Sequence, residues 1–103
     1  MAYYRITKLK ALDSDRIKQI GEEMRDVIES MNADFIDIVE NHENDMIVVA
    51  RYPDESNMQA ATATAQGVFG QMVAEGVADG SSIDLLVGEA TCLLYTSDAA
   101  DEG

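Results

Sequence analysis

Tryptophan is absent, and the 103-residue chain has one proline, one cysteine and one histidine. A single cysteine cannot close an internal disulfide, and one cysteine with one histidine cannot assemble a structural zinc site. Bases are scarce too: 7 Lys and Arg stand against 20 Asp and Glu, a formal charge of −13. Phosphate neutralisation needs clustered Lys and Arg, so no nucleic-acid partner is expected. Docking on an anionic membrane surface is disfavoured for the same reason. Long apolar runs are missing as well: no stretch approaches a membrane span, and Met1 to Leu12 lacks the apolar region of a secretory signal. The expected location is cytoplasmic. What is present is 47% hydrophobic residues, enough for an ordered core, in a length that suits one domain.

The end of the chain differs in character. Residues 92–102, CLLYTSDAADE, resemble the conceptual translation of a transposase-type sequencing-library adapter. They are read as foreign to the fold, and residues 1–91 as the single domain. Without this tail the acids fall to 17 and the charge to −10, and the only cysteine, Cys92, goes with it. The remaining charge is unevenly spread. Residues 1–25 hold six bases and four acids, whereas residues 26–91 hold Arg51 alone against thirteen acids.

Residues 2–12, AYYRITKLKAL, mix aromatic and β-branched residues with charge and read as a strand. Asp13 and Ser14 are candidate N-caps for a helix whose apolar face is Ile17, Ile20, Met24, Val27, Ile28 and Met31. Residues 33–40 and 45–52 are apolar strands joined through Asn41-His42-Glu43-Asn44, a hairpin. A symmetric turn pairs Asp37 with Val48 and Asp34 with Arg51. Pro53 ends the second of these strands, and Ser56 is the next candidate N-cap. Residues 57–75 form a second helix with Met58, Ala61, Ala65, Val68, Phe69, Met72 and Val73 on one face. Gly67 and Gly70 weaken that helix by about 1 kcal/mol each, a cost that close approach to a sheet would explain. Residues 82–87 form the last strand.

The order strand, helix, strand, strand, helix, strand gives a ferredoxin-like βαββαβ fold: a four-stranded antiparallel sheet with two helices on one face. A sheet with one wet face should alternate apolar and polar residues. Met46-Ile47-Val48-Val49-Ala50 does not alternate, and neither does Phe35-Ile36 with Ile38-Val39. The second face therefore needs a cover, and a second copy of the chain is the simplest one. A homodimer packed sheet against sheet is expected.

With YYRITKLKA, IKQIGEEMRDVI, ADFIDIVE, DMIVVARYPDE and SSIDLLVGE in this order, the chain resembles the dimeric α+β-barrel superfamily over residues 2–90. Within it, the chain is most similar to small antibiotic-biosynthesis-monooxygenase-like proteins. The resemblance implies a sheet-to-sheet dimer with a small-molecule pocket between each sheet and its helices. It also implies cofactor-independent oxidation of an aromatic or quinol-type substrate; the alternative is a non-catalytic ligand-binding or structural dimer of the same fold. The haem-degrading branch uses a Trp and a His on helices with an Asn on a strand. Here Trp is absent and His42 falls in the hairpin turn, so that reaction is not expected.

Candidate site residues are few. On the symmetric register Asp37 shares a face with Phe35, Val39, Met46, Val48 and Ala50. A carboxylate isolated on an apolar face is a candidate general base toward an acidic phenol or quinol; the alternative is a charge guarding an edge strand. His42, among Asp34, Asp37, Glu40, Glu43 and Asp45, is either a base or ligand or, more simply, a solvated hairpin tip. Arg51 either orients a ligand or pairs with Asp34. Tyr3 and Tyr4 point to opposite faces, so at most one lines a pocket, and Arg5 follows Tyr3. The methionines Met24, Met31, Met46, Met58 and Met72 are core filler first and pocket lining second. No metal site or cofactor is expected, and the stretches GVFG and EGVADG match neither phosphate-binding nor dinucleotide-binding patterns.

Overall fold

Alternation along the first strand decides which side of the molecule is the inside. Arg5, Thr7, Leu9 and Ala11 are buried, whereas Lys8 is exposed and Tyr4, Ile6 and Lys10 are half-buried. The structure is a computed structural model that describes residues 1–94; residues 95–103, most of the adapter-like tail, lie outside the described residues. Its elements are β1 (Tyr3–Ala11), α1 (Ser14–Glu23), α2 (Arg25–Glu29), β2 (Phe35–Glu40), β3 (Asp45–Tyr52), α3 (Glu55–Ala60), α4 (Thr62–Ala74) and β4 (Ala78–Glu89). The sheet is antiparallel in the order β2-β3-β1-β4, with β2 and β4 at the edges. This is the ferredoxin-like βαββαβ arrangement, with each helix divided in two.

The helices start where side chains can cap them. Asp13 accepts from the Arg16 amide at 3.1 Å, and Asp54 accepts from the Asn57 amide at 2.8 Å. The second cap is therefore Asp54 and not Ser56, and the helix begins two residues earlier than the spacing predicts. The division between α3 and α4 has a visible cause. The Met58 carbonyl accepts from the Arg5 guanidinium at 3.0 Å and from the Thr62 hydroxyl at 3.3 Å, while the Ala61 amide bonds it at the tighter i+3 spacing. Side chains thus occupy a carbonyl of the helical ladder, which bends the helix. The first helix divides at Met24 (φ −102°, ψ 19°), and beyond it Val27 turns outward, not onto the apolar face where the periodicity puts it.

Two apolar clusters lie between helices and sheet. Leu9, Ile17, Ile20, Met46, Val68 and Met72 form the centre of one; Met31, Ala50, Tyr52, Met58, Ala61 and Ala65 form the other. The close approach expected at the helical glycines occurs elsewhere. A Cβ at Gly67 or Gly70 would meet nothing within 4 Å, whereas one at Gly80 on β4 would meet the Val73 side chain at 3.0 Å.

The hairpin register also differs from the symmetric one. Asp37 pairs with Val49, Ile38 with Val48 and Phe35 with Arg51. Asn44 adopts φ 67°, the Asn41 amide bonds the Asp45 carbonyl, and the Asn41 side chain accepts from the Glu43 and Asp45 amides. A left-handed residue closes the loop with three residues instead of four, and a one-residue slip exchanges the faces of a strand. Ile36 and Ile38 consequently face the helices with Met46, Val48 and Ala50. Phe35, Asp37 and Val39 face the open side with Ile47, Val49 and Arg51.

Candidate functional site

Arg5 leaves the centre of β1 on the helix side and is 5% exposed. Its Nη1 donates to the Tyr52 hydroxyl at 2.9 Å, and its Nη2 donates to the Thr62 hydroxyl at 2.6 Å and to the Met58 carbonyl. The guanidinium carbon also stands 5.5 Å from the centre of the Tyr52 ring, a cation–π distance. β1, β3 and the α3–α4 junction therefore converge on one charged group.

Two hollows meet at this residue. An inner cavity of about 80 Å³ lies between sheet and helices, lined by side chains such as Leu9, Met31, Ile36, Met46, Tyr52 and Met72. An outer groove of about 490 Å³ runs between α4 and the inner face of β1 and β4, past Thr62, Gln66, Gly70, Val73, Ile83 and Leu85. Arg5, Thr7, Ala65 and Phe69 are walls of both. Among the described residues Arg5 is the only charged one on either wall. The groove falls in the size range of small-molecule sites, which are mostly apolar with a few placed polar groups.

The sequence candidates are dispersed. Asp37 is exposed on edge strand β2, on the sheet face away from the helices, so the apolar face it was expected to share with Met46, Val48 and Ala50 is not its own. His42 is exposed in the hairpin loop and lines neither hollow. Arg51 lies on the open face and pairs with Asp34 at 3.2 Å. Tyr4 is on that face too, edge-on to Phe35 with ring centres 6.3 Å apart. Tyr3 is on the helix side but lines neither hollow; its phenol is pushed above the usual 10.0 by burial and by the charges of Glu55 and Glu89. Of the candidates only Arg5 lines these two hollows; Tyr4 lines a separate, more open hollow of about 560 Å³ on the other sheet face, with Ile6, Leu86 and Gly88.

Residues that were not site candidates from the sequence complete the site: Thr7, Tyr52, Thr62, Gln66 and Phe69, the last expected only on the apolar face of its helix. Tyr52 follows Ala50 and Met46 at period two, so its face was readable once the register was fixed. Thr62 carries no sequence signal, because its role depends on Arg5 arriving from β1. Met31, Met46 and Met72 are both core residues and cavity walls. Among the described residues no group of three His, Cys, Asp or Glu could hold a metal ion, and no helix is long and apolar enough to cross a membrane.

Sequence comparison finds neither a matching family model nor a matching curated protein. Solved structures do match. SnoaB, a cofactor-independent oxygenase from Streptomyces nogalater, gives a TM-score of 0.69 at 9% identity over 92% of this chain and 98% of its own. A dimeric ferredoxin-like protein of unknown function from Jannaschia sp. CCS1 gives 0.67 at 14% identity, covering 87% of this chain and 100% of that one. A candidate antibiotic biosynthesis monooxygenase from Nitrosomonas europaea gives 0.59 at 12% identity, covering 91% and 94%. Likeness at these identities establishes a shared fold.

Proposed function

We propose that this protein is a homodimeric α+β-barrel protein that holds a small apolar or aromatic molecule between its helices and its sheet, with residues 1–91 as the folded unit. The observation that carries this reading is the pair of hollows sharing four walls, apolar throughout apart from Arg5 and a few neutral polar groups. The dimer is supported by the opposite sheet face, where Tyr4, Ile6, Phe35, Val39 and Leu86 have no covering layer among the described residues. The Jannaschia protein of the same fold is described as dimeric.

A catalytic reading draws on the likeness to SnoaB. In it, a phenol or quinol held in the groove reacts with dioxygen without a cofactor; for a phenol with a free para position, the ring gains one oxygen as a quinone and the other leaves as water. No carboxylate or imidazole lines either hollow among the described residues. Proton removal would therefore fall to solvent, with Arg5 stabilising the substrate anion. Asp37 has no part in this reading, and Asp37→Asn is expected to leave both binding and turnover unchanged.

Melting curves with a panel of naphthols and naphthoquinols test the binding reading: a saturable rise in melting temperature supports it, and no shift across the panel overturns it. Oxygen uptake above the uncatalysed rate with the same quinols separates an enzyme from a binding protein.

A further inference from the structure

The basic residues of this chain are nearly all matched by carboxylates. Lys10 pairs with Asp45, Arg16 with Glu23 and Glu75, Lys18 with Glu40, Arg25 with Glu22, and Arg51 with Asp34. Lys8 stands opposite Asp84 on the neighbouring strand. Arg5 is the exception. It is the most buried of the seven, and among the described residues no carboxylate lies within ion-pair distance. Its partners are a phenol, a hydroxyl, a carbonyl and a thioether, all neutral. The chain has 20 acids, and among the described residues none falls on α4 or in the walls around this cation.

A buried charge without a counter-charge is costly to hold, and a guanidinium cannot shed its proton to relieve the cost. Its Nε–H makes no hydrogen bond among the described residues. Among the described residues no side-chain nitrogen or oxygen that is shut off from solvent lacks a partner, so Nε keeps a path outward, and the cavity and groove are the openings that Arg5 lines. The three neutral oxygen acceptors fix the plane of the group while leaving donor capacity facing the hollow. That is the arrangement of a receptor for an anion, since charge-assisted bonds from Arg are about twice as strong as neutral ones.

We propose that the ligand of this site is an organic monoanion, a carboxylate or ionised phenol on a flat apolar body, with Arg5 as its counter-ion. The body lies against Ala65, Phe69 and Ile83, and the oxyanion reaches the Arg5 Nε–H. This rests on the small-molecule reading above and adds the charge of the ligand to it.

The test compares 2-naphthoate with its neutral isostere 2-naphthamide at pH 7, by calorimetry and by the ¹⁵N–¹H signal of the Arg5 side chain. Naphthoate is expected to bind the wild-type protein at least tenfold more tightly and to shift the Nε–H signal, with naphthamide leaving it in place. Arg5→Lys should retain a preference for the acid, and Arg5→Met should lose it through weaker naphthoate binding alone. Equal affinities in the wild type would overturn the anion proposal and leave the cavity reading standing. Binding of neither probe would overturn both. A naphthoate preference with an unmoved Nε–H signal would place the anion elsewhere and overturn the role of Arg5. The wild-type comparison decides the matter even where Arg5→Met does not fold.

Discussion

A Cβ at Gly67 would enter open space on an exposed turn of α4. Glycine inside a helix forfeits about 1 kcal/mol relative to alanine, and nothing in the fold recovers it at this position. Gly67→Ala is therefore expected to raise stability by about 0.5–1 kcal/mol, read from urea unfolding at unchanged slope; a loss of stability would mean that the small side chain serves a contact outside the chain. Gly80 is the opposite case, because Val73 occupies the space a Cβ would need. Arg5 shows how far one residue can be read from sequence. Its alternation with Leu9 and Ala11 places it on the buried side of β1. Its lack of a counter-ion is a tertiary property, visible only when the α3–α4 junction meets it with a carbonyl and a hydroxyl and no carboxylate within ion-pair distance among the described residues.

Elements were legible where the signal is local and failed where it hangs on one dihedral. The order of elements and, Val27 apart, the buried face of each helix follow from periodicity, and the structure has them. The hairpin register follows from Asn44 in the left-handed region, which a composition of Asn, His, Glu and Asn does not reveal. That single angle moves Asp37 from the expected inner face to the open one. The helix breaks are also tertiary in origin, at least at Met58, where Arg5 and Thr62 draw on the carbonyl. Between elements, α1 is tied by charge at both ends of its packing. Lys18 and Ser14 bond Glu40 at the end of β2, and Arg16 bonds Glu75 after α4 at 3.0 Å. Hydrogen bonds from Lys18 and Ser14 hold the Glu40 carboxyl below the ordinary 4.5, and those from Arg16 and Gln71 do the same for Glu75. A carboxyl lowered on folding contributes stability that is present above its unfolded value and is lost as pH falls through its folded value. The melting temperature is thus expected to fall as pH drops below about 4.5. Glu40→Gln with Glu75→Gln should flatten that acid slope; an unchanged slope in the double variant would assign it to other carboxylates.

At the scale of the molecule, the uneven charge of the sequence is resolved by topology. β1 sits between β3 and β4, and Lys10, Arg16 and Lys18 reach carboxylates from the acidic remainder of the chain at Asp45, Glu75 and Glu40. The helices spend their apolar faces on one side of the sheet. The other side keeps Phe35, Val39 and Leu86 at 39%, 56% and 66% exposure, with Tyr4, Ile6, Ile47 and Val49 half-buried between them. These residues span all four strands and form the kind of contiguous apolar surface that soluble monomers seldom leave bare. A copy of the same face is a self-complementary cover under two-fold symmetry, and Val39 and Leu86 on the two edge strands are its most exposed members. Val39→Glu with Leu86→Glu would force carboxylates into that contact without touching the cavity side. The wild-type chain is expected to run as a dimer by light scattering at micromolar concentration. The double variant should run as a monomer with unchanged far-ultraviolet dichroism and retain naphthoate binding, because the groove lies on the opposite face of the sheet. A monomeric wild type would show that the bare face serves another partner, and a monomeric variant that no longer binds would show that the groove depends on the dimer.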